Sequence, residues 1–412
     1  MKKYFKKVAA CVMAGTMAAA MLTGCGGGKE QDYGSGEIVI WVPEEVTSFT
    51  KTQVDKFMSE NEAYSGYTVT IDAVGEGDAA SNMLTDVDGG ADIFGFAQDQ
   101  LARLVSAGAL SPVVGENATW VKNQNDAGAS SAATLSDTVY AYPLTSDNGY
   151  FLYYDKSVVT DPSKLETILA DCEKAGKGFY MQINSGWYQT AFFFATGCEL
   201  TYDTDNDGKF TKCNISYNSD EGLAALKAII NLSKSSAFTN GASLSTATNP
   251  AAIVDGTWDS SAAKEIFKDN YACAKLPTFN VNGKDYQMSG FGGFKLLGLK
   301  PQADAGKLAV CHAIAKYLSG EEVQLARYEA AGWGPSNKSA QQNEKVKSDA
   351  ALSALADQLQ YTIPQGQYPN DYWTLSESLG DSIISGEYNN SSDDALRKVL
   401  ESFQNSCISY AK

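Results

Sequence analysis

The chain has 412 residues, with 32 basic against 49 acidic side chains and a formal charge of −17. That excess of negative charge repels phosphate backbones and anionic headgroups, which sets nucleic acid aside as a partner. A single histidine, His312, excludes His-based catalytic triads and multi-histidine metal centres.

The chain opens on Lys2, Lys3, Lys6 and Lys7, followed by an almost wholly small or apolar run over 8–21. That run is too short to span a bilayer and too poor in large residues for a core helix. It closes on Leu22-Thr23-Gly24-Cys25, which resembles the bacterial lipobox. The resemblance implies cleavage before Cys25, acylation of its sulfur, and stable anchoring by several acyl chains. Residues 1–24 are then a signal peptide, and the mature chain, of charge −21, is held on the extracellular face of the cell membrane. Residues 25–36, rich in glycine and polar, read as a flexible tether.

About 390 residues remain, more than one hydrophobic core usually organises, so two lobes are expected. A buried strand over 37–42 ends at Pro43, and Val54, Phe57 and Met58 give helical spacing within 50–60. Strand 67–74, helix 79–87, strand 91–96 and helix 99–107 continue the alternation. This rhythm predicts an α/β fold with mainly parallel sheets flanked by helices. In such sheets the ligand crevice opens at the carboxyl ends of the strands, here at Glu44, Glu45, Phe96, Gln98 and Asp99. Residues 142–149 read as a break and 150–154 as an aromatic strand. Helices follow over 162–174, 187–195 and 220–234, with short strands over 252–258 and 271–279. The glycine-rich 290–299 is strand-like, and helices dominate from 307, interrupted at 332–335 and 363–369.

Tryptophan placement carries the functional signal. Trp187, Trp258, Trp333 and Trp373 all fall at element ends or loops, whereas Trp41 belongs to a strand. A sugar ring packs its C–H face on a flat aromatic, and its hydroxyl rim seeks Asp, Glu and Asn. Asp203, Asp205 and Asp207 match half of a calcium loop, but position twelve is Asn214 rather than glutamate, and a solvated turn explains the same residues. No metal or cofactor is therefore expected. Six cysteines follow Cys25 without a C-x-x-C spacing, and Cys198 with Cys213 is the pair best placed for a disulfide across a hairpin. Paired carboxylates alone also fit glycoside hydrolysis, though acids are too abundant here for that to be specific.

The order of motifs resembles the extracellular solute-binding proteins of ABC importers, above all the maltose/maltodextrin-binding type. The resemblance rests on "EIVIWV", "GADIFGFAQDQLARLVSAGAL", "YAYPLTSDNGYFLYYDKS", "VDGTWDS", "AKLPTF" and "NDYW". It implies a two-lobed periplasmic-binding-protein-like fold hinged by crossover strands near 144–150, 288–293 and 335–340. Lobe I would comprise 37–146 and 290–336, and lobe II 147–289 and 337–412. By the same resemblance Glu44 or Glu45, Phe96, Asp99, and Asp147 or Asn148 are ligand contacts of the first lobe and crossover. Trp187 or Tyr188, Trp258 and Trp373 are stacking aromatics of the second. Trp333 has no family counterpart and is added on its loop position. The family's basic contact after the first strand is replaced by Pro43-Glu44-Glu45. The implied protein is a monomeric, non-enzymatic receptor that hands an oligosaccharide to a membrane permease. A different solute in the same architecture, or a secreted hydrolase, are the alternatives.

Overall fold

Residues 32–205, 208–241 and 243–411 are described by the computed structural model. The signal segment, Cys25, most of the tether and Asp207 lie outside the described residues. Tyr33 is already packed: its ring meets Tyr64 at 5.0 Å, and its carbonyl accepts from Tyr67 Oη at 2.7 Å. The tether expected to reach residue 36 therefore gives way to folded chain three residues earlier.

Ile38, Ile40 and Val42 alternate inward along the strand Gly36–Val42 and bury fully or nearly so. This strand runs parallel to both Tyr67–Ala73 and Ile93–Ala97. A helix, Glu44–Glu60, begins directly after Pro43, whose carbonyl accepts from Val46 N and Thr47 Oγ1. Its buried positions Val46, Thr50, Val54 and Phe57 keep helical spacing. The two acids of its first turn suit the positive end of the helix dipole. They also mask the apolar period, which is why sequence spacing places the start at residue 50.

The spine of this first sheet is Phe291–Leu299. It pairs antiparallel with Ile93–Ala97 and with Ala141–Asn148, and parallel with Ile363–Pro364. The break expected over 142–149 is thus mostly occupied by the buried strand Ala141–Asn148. The second sheet is ordered Phe238–Thr239, Gly178–Tyr180, Pro250–Asp255, Phe151–Asp155, Tyr271–Ala274. Its first three strands are parallel and the last two pairings antiparallel. Both sheets are therefore mixed, because long returning strands add antiparallel partners to the parallel βαβ units. One core gathers residues from 38–144 and 296–333, and another gathers residues from 150–291 and 368–407.

The chain segments between the cores are laced together. Asn148 pairs with Gly293, Ser146 N donates to Gly334 O at 3.1 Å, and Ile363 N donates to Gly290 O at 2.9 Å.

The hairpin Leu200–Thr204 with Phe210–Ile215 exists, but all six described cysteines are free thiols. Register explains it. Cys213 faces Tyr202, and Ile215 faces Leu200. Cys198 lies four positions along from Tyr202, about 13 Å at strand rise, whereas a disulfide needs Cα atoms within about 7 Å. At the hairpin turn Asp205 Oδ1 accepts from Lys209 N at 2.9 Å, which is turn chemistry. Among the described residues no group of three His, Cys, Asp or Glu gathers to hold a metal.

Candidate functional site

A cavity of about 540 Å³ lies where the two sheets meet, within the size range of small-molecule sites. The first lobe supplies Glu45, Glu76, Asp78, Ala97, Asp99, Gln100, Arg103 and Lys295 to its walls, and Asn148 enters from the crossover. Trp187, Trp258, Asn370 and Trp373 come from the second lobe, and Gln365 follows the strand Ile363–Pro364 at the edge of the first sheet.

Trp187 heads the helix Gly186–Thr196, and its Nε1 donates to Gln365 Oε1 at 3.1 Å. Its ring centroid is 5.9 Å from that of Trp258, so two indoles form one tilted aromatic wall. Trp258 follows the strand Pro250–Asp255 and folds back over Gly256. A Cβ at Gly256 would meet the indole at 2.1 Å, so glycine is what lets the ring lie there. Trp373, in the first turn of Asn370–Ile384, packs on Tyr372 at 4.7 Å and Tyr368 at 5.5 Å. These rings offer flat apolar faces within one shared space, bordered by carboxylates.

Several expected residues stand elsewhere. Phe96 does not reach the cavity: it is fully buried on the same strand face as Phe94, at 5.7 Å. Gly298 leaves room for it there, since a Cβ would meet its ring at 2.8 Å. Ala97, the next residue, lines the wall instead. Glu44 is exposed in the first helical turn and is not on the wall. Tyr188 is buried behind Trp187, its ring tilted against that of Tyr150 at 4.8 Å. Trp333 is 2% exposed and lies beneath Lys295 rather than in the cavity. Asp147 is buried in the joint, where it accepts from Thr257 Oγ1 and Gly334 N. Loss of hydration raises its pKa, against the pull of Lys295.

Asp99 has the most altered acid–base behaviour on the wall. Burial lifts its carboxyl to about 7, although Arg103 and the Gln100 amide favour the charged form. At neutral pH it therefore divides between an acceptor and a group that can also donate. Glu45 is raised too, first by loss of hydration and less by Glu76 and Asp259, with Lys295 opposing. Nearby, Gln100 Oε1, Arg103 Nε and Trp373 Nε1 are buried polar atoms with no partner in the described protein. Together they provide one acceptor and two donors among the lining residues. Two contacts tie Gln98 to the segment 365–367 beside them: Gln98 Nε2 donates to Gln365 O, and Gln367 Nε2 donates to Gln98 O at 2.8 Å.

Sequence reasoning missed Lys295, Arg103, Glu76, Asp78, Gln100, Gln365 and Asn370. The lysine is the readable exception, because a charge inside the apolar run Phe291–Leu299 needs a special environment.

Residues 52–354 match the family described as bacterial extracellular solute-binding protein. Comparison with curated proteins gives no match. Among solved structures, one described as being with acarbose has a TM-score of 0.80 at 27% identity, covering 92% of this chain and 100% of that chain. The GacH receptor of Streptomyces glaucescens GLA.O, solved unliganded and with acarbose, has a TM-score of 0.75 at 19% identity, with 92% and 100% covered. The maltodextrin binding protein MalE1 from L. casei BL23, without ligand, has a TM-score of 0.72 at 23% identity, with 92% and 99% covered. At such identity the last two bear on the fold alone.

Proposed function

The chain belongs to the bacterial extracellular solute-binding proteins, and we propose that it captures an oligosaccharide, maltose or a malto-oligosaccharide foremost, between its two lobes. The observation carrying this reading is that Trp187, Trp258 and Trp373 share one cavity with Glu45, Asp78, Asp99 and Asn148. Indole faces take the C–H faces of sugar rings, and the acids and amides take the hydroxyl rims. The neighbour at 27% identity described with acarbose supports the same ligand class.

Binding proceeds by closure. Contacts from both lobes exist only in the closed form, so the ligand's differential affinity shifts the population toward it. A micromolar site requires about −8 kcal/mol. Stacking on three indoles with several charge-assisted hydrogen bonds supplies this after the costs of ordering. The closed, ligand-bound form delivers its cargo to the permease of an ABC importer, and Cys25 holds the chain at the membrane by its acyl chains. The protein binds without turning over its ligand.

A second reading keeps the architecture and changes the solute. Glu45, Glu76, Asp78 and Asp99 outnumber Lys295 and Arg103 on the walls, which favours a ligand carrying a positive charge. Calorimetric titration with maltotriose, a pentose oligomer and an amino-acid panel separates the two. Micromolar heats with maltotriose are expected; silence with every sugar would refute the carbohydrate reading.

A further inference from the structure

Lys295 is the one lysine among the described residues that is buried, with 6% exposed. The strand Phe291–Leu299 carries it to the lobe I wall of the cavity. Its Nζ lies 3.9 Å from the ring centroid of Trp333, in the same lobe, and 5.0 Å from that of Trp258, which lobe II supplies. Glu76 Oε1 is 3.3 Å away, and the carboxylates of Asp147 and Glu45 also feel its charge. Asp147 accepts from Thr257, the residue before Trp258, and from the amide of Gly334, the residue after Trp333. One cation thus ties the two tryptophan loops from opposite lobes.

We propose that Lys295 is a positioning residue: an internal cation of lobe I that captures the Trp258 indole of lobe II as the lobes close. Closing the cleft and building the stacking platform then become one event. The physical ground is differential contact. Glu76 and Trp333 stay with Lys295 in either state, because all three belong to lobe I. The Trp258 face, carried by lobe II, reaches the cation only when the lobes meet. A desolvated cation–π contact changes the closed-to-open ratio about 3- to 30-fold. An equilibrium moves only by such state-dependent contacts. The indole thereby reaches the ligand already oriented, which lowers the ordering cost of binding.

The idea rests on the proposed function for the platform's use, but the coupling itself is a property of the ligand-free protein. The test is small-angle scattering and tryptophan emission on the ligand-free mature chain, with sugar titration beside them. Lys295→Met is expected to enlarge the radius of gyration, move the emission to longer wavelength and weaken sugar binding about 3- to 30-fold. Lys295→Arg, which keeps the cation, is expected to restore most of all three. Wild-type radius and emission in Lys295→Met would overturn the proposal. If that variant does not fold, Trp258→Leu removes the lobe II face that meets Lys295 only on closure. It should enlarge the ligand-free radius of gyration in the same direction, and an unchanged radius there would overturn the proposal equally. Should no sugar bind the wild type, the carbohydrate reading fails while the ligand-free measurements still decide on Lys295.

Discussion

Asp99 sits 2% exposed on the cavity wall with its carboxyl raised from 3.8 to about 7, and Asp99→Asn should reveal what that costs the fold. Between these values the folded chain holds a proton that the unfolded chain has released. The group's contribution to stability is therefore complete below about pH 4 and is lost as pH rises through about 7. One pKa unit corresponds to about 1.4 kcal/mol. Between pH 4.5 and 7.5 the wild type should lose about 3 kcal/mol through this residue alone. Asparagine keeps the shape and cannot ionise, so that part of the pH dependence should vanish. The assay is urea unfolding of both proteins at several pH values, with slopes compared to check that the transition is unchanged. Every other carboxylate contributes alike to both curves, and the difference between them isolates Asp99. Equal pH dependence in the two proteins would refute the assignment of a buried, half-protonated acid.

Trp258→Ala and Trp373→Ala are each expected to weaken sugar binding by about 1–3 kcal/mol in calorimetry. Wild-type affinity in both would show that other walls hold the ligand. Phe96→Ala should instead cost about 3–5 kcal/mol of unfolding free energy, because its ring fills the core with Phe94 and over Gly298. The folded fraction should bind as before, and a large affinity loss without destabilisation would contradict its place in the core. Alkylation of the unfolded chain without reductant should label both Cys198 and Cys213, since both are free thiols. Protection of that pair until reductant is added would reveal a disulfide.

Regular βαβ alternation made residues 37–107 legible, because strands rich in branched and aromatic residues there are separated by segments of helical spacing. The strand Ala141–Asn148 was hidden by its own composition. Pro143, Ser146 and Asp147 look like turn residues, yet the strand is laid beside Phe291–Leu299 and satisfies its polar groups there. Helices Gly115–Gln124 and Ala127–Ala132 bury only Val121 and Ala129, too little to give an apolar period. For the site, indoles at Trp187, Trp258 and Trp373 stood out because loops rarely waste such large rings. The strand-end position and the family resemblance placed Phe96 on the wall one residue early: the motif marks where the strand meets the cavity, but alternation turns Phe96 inward and leaves Ala97 on the wall. Lys295, Arg103 and Asn370 come from segments far apart in the chain, and only tertiary folding brings them to the same cavity.

A crystal structure of the mature chain grown with maltotriose would show which walls hold the sugar. Glucose rings packed on Trp187, Trp258 and Trp373, with hydroxyls on Asp99 and Glu45, are the expected result. Sugar bound elsewhere, with those indoles untouched, would contradict it.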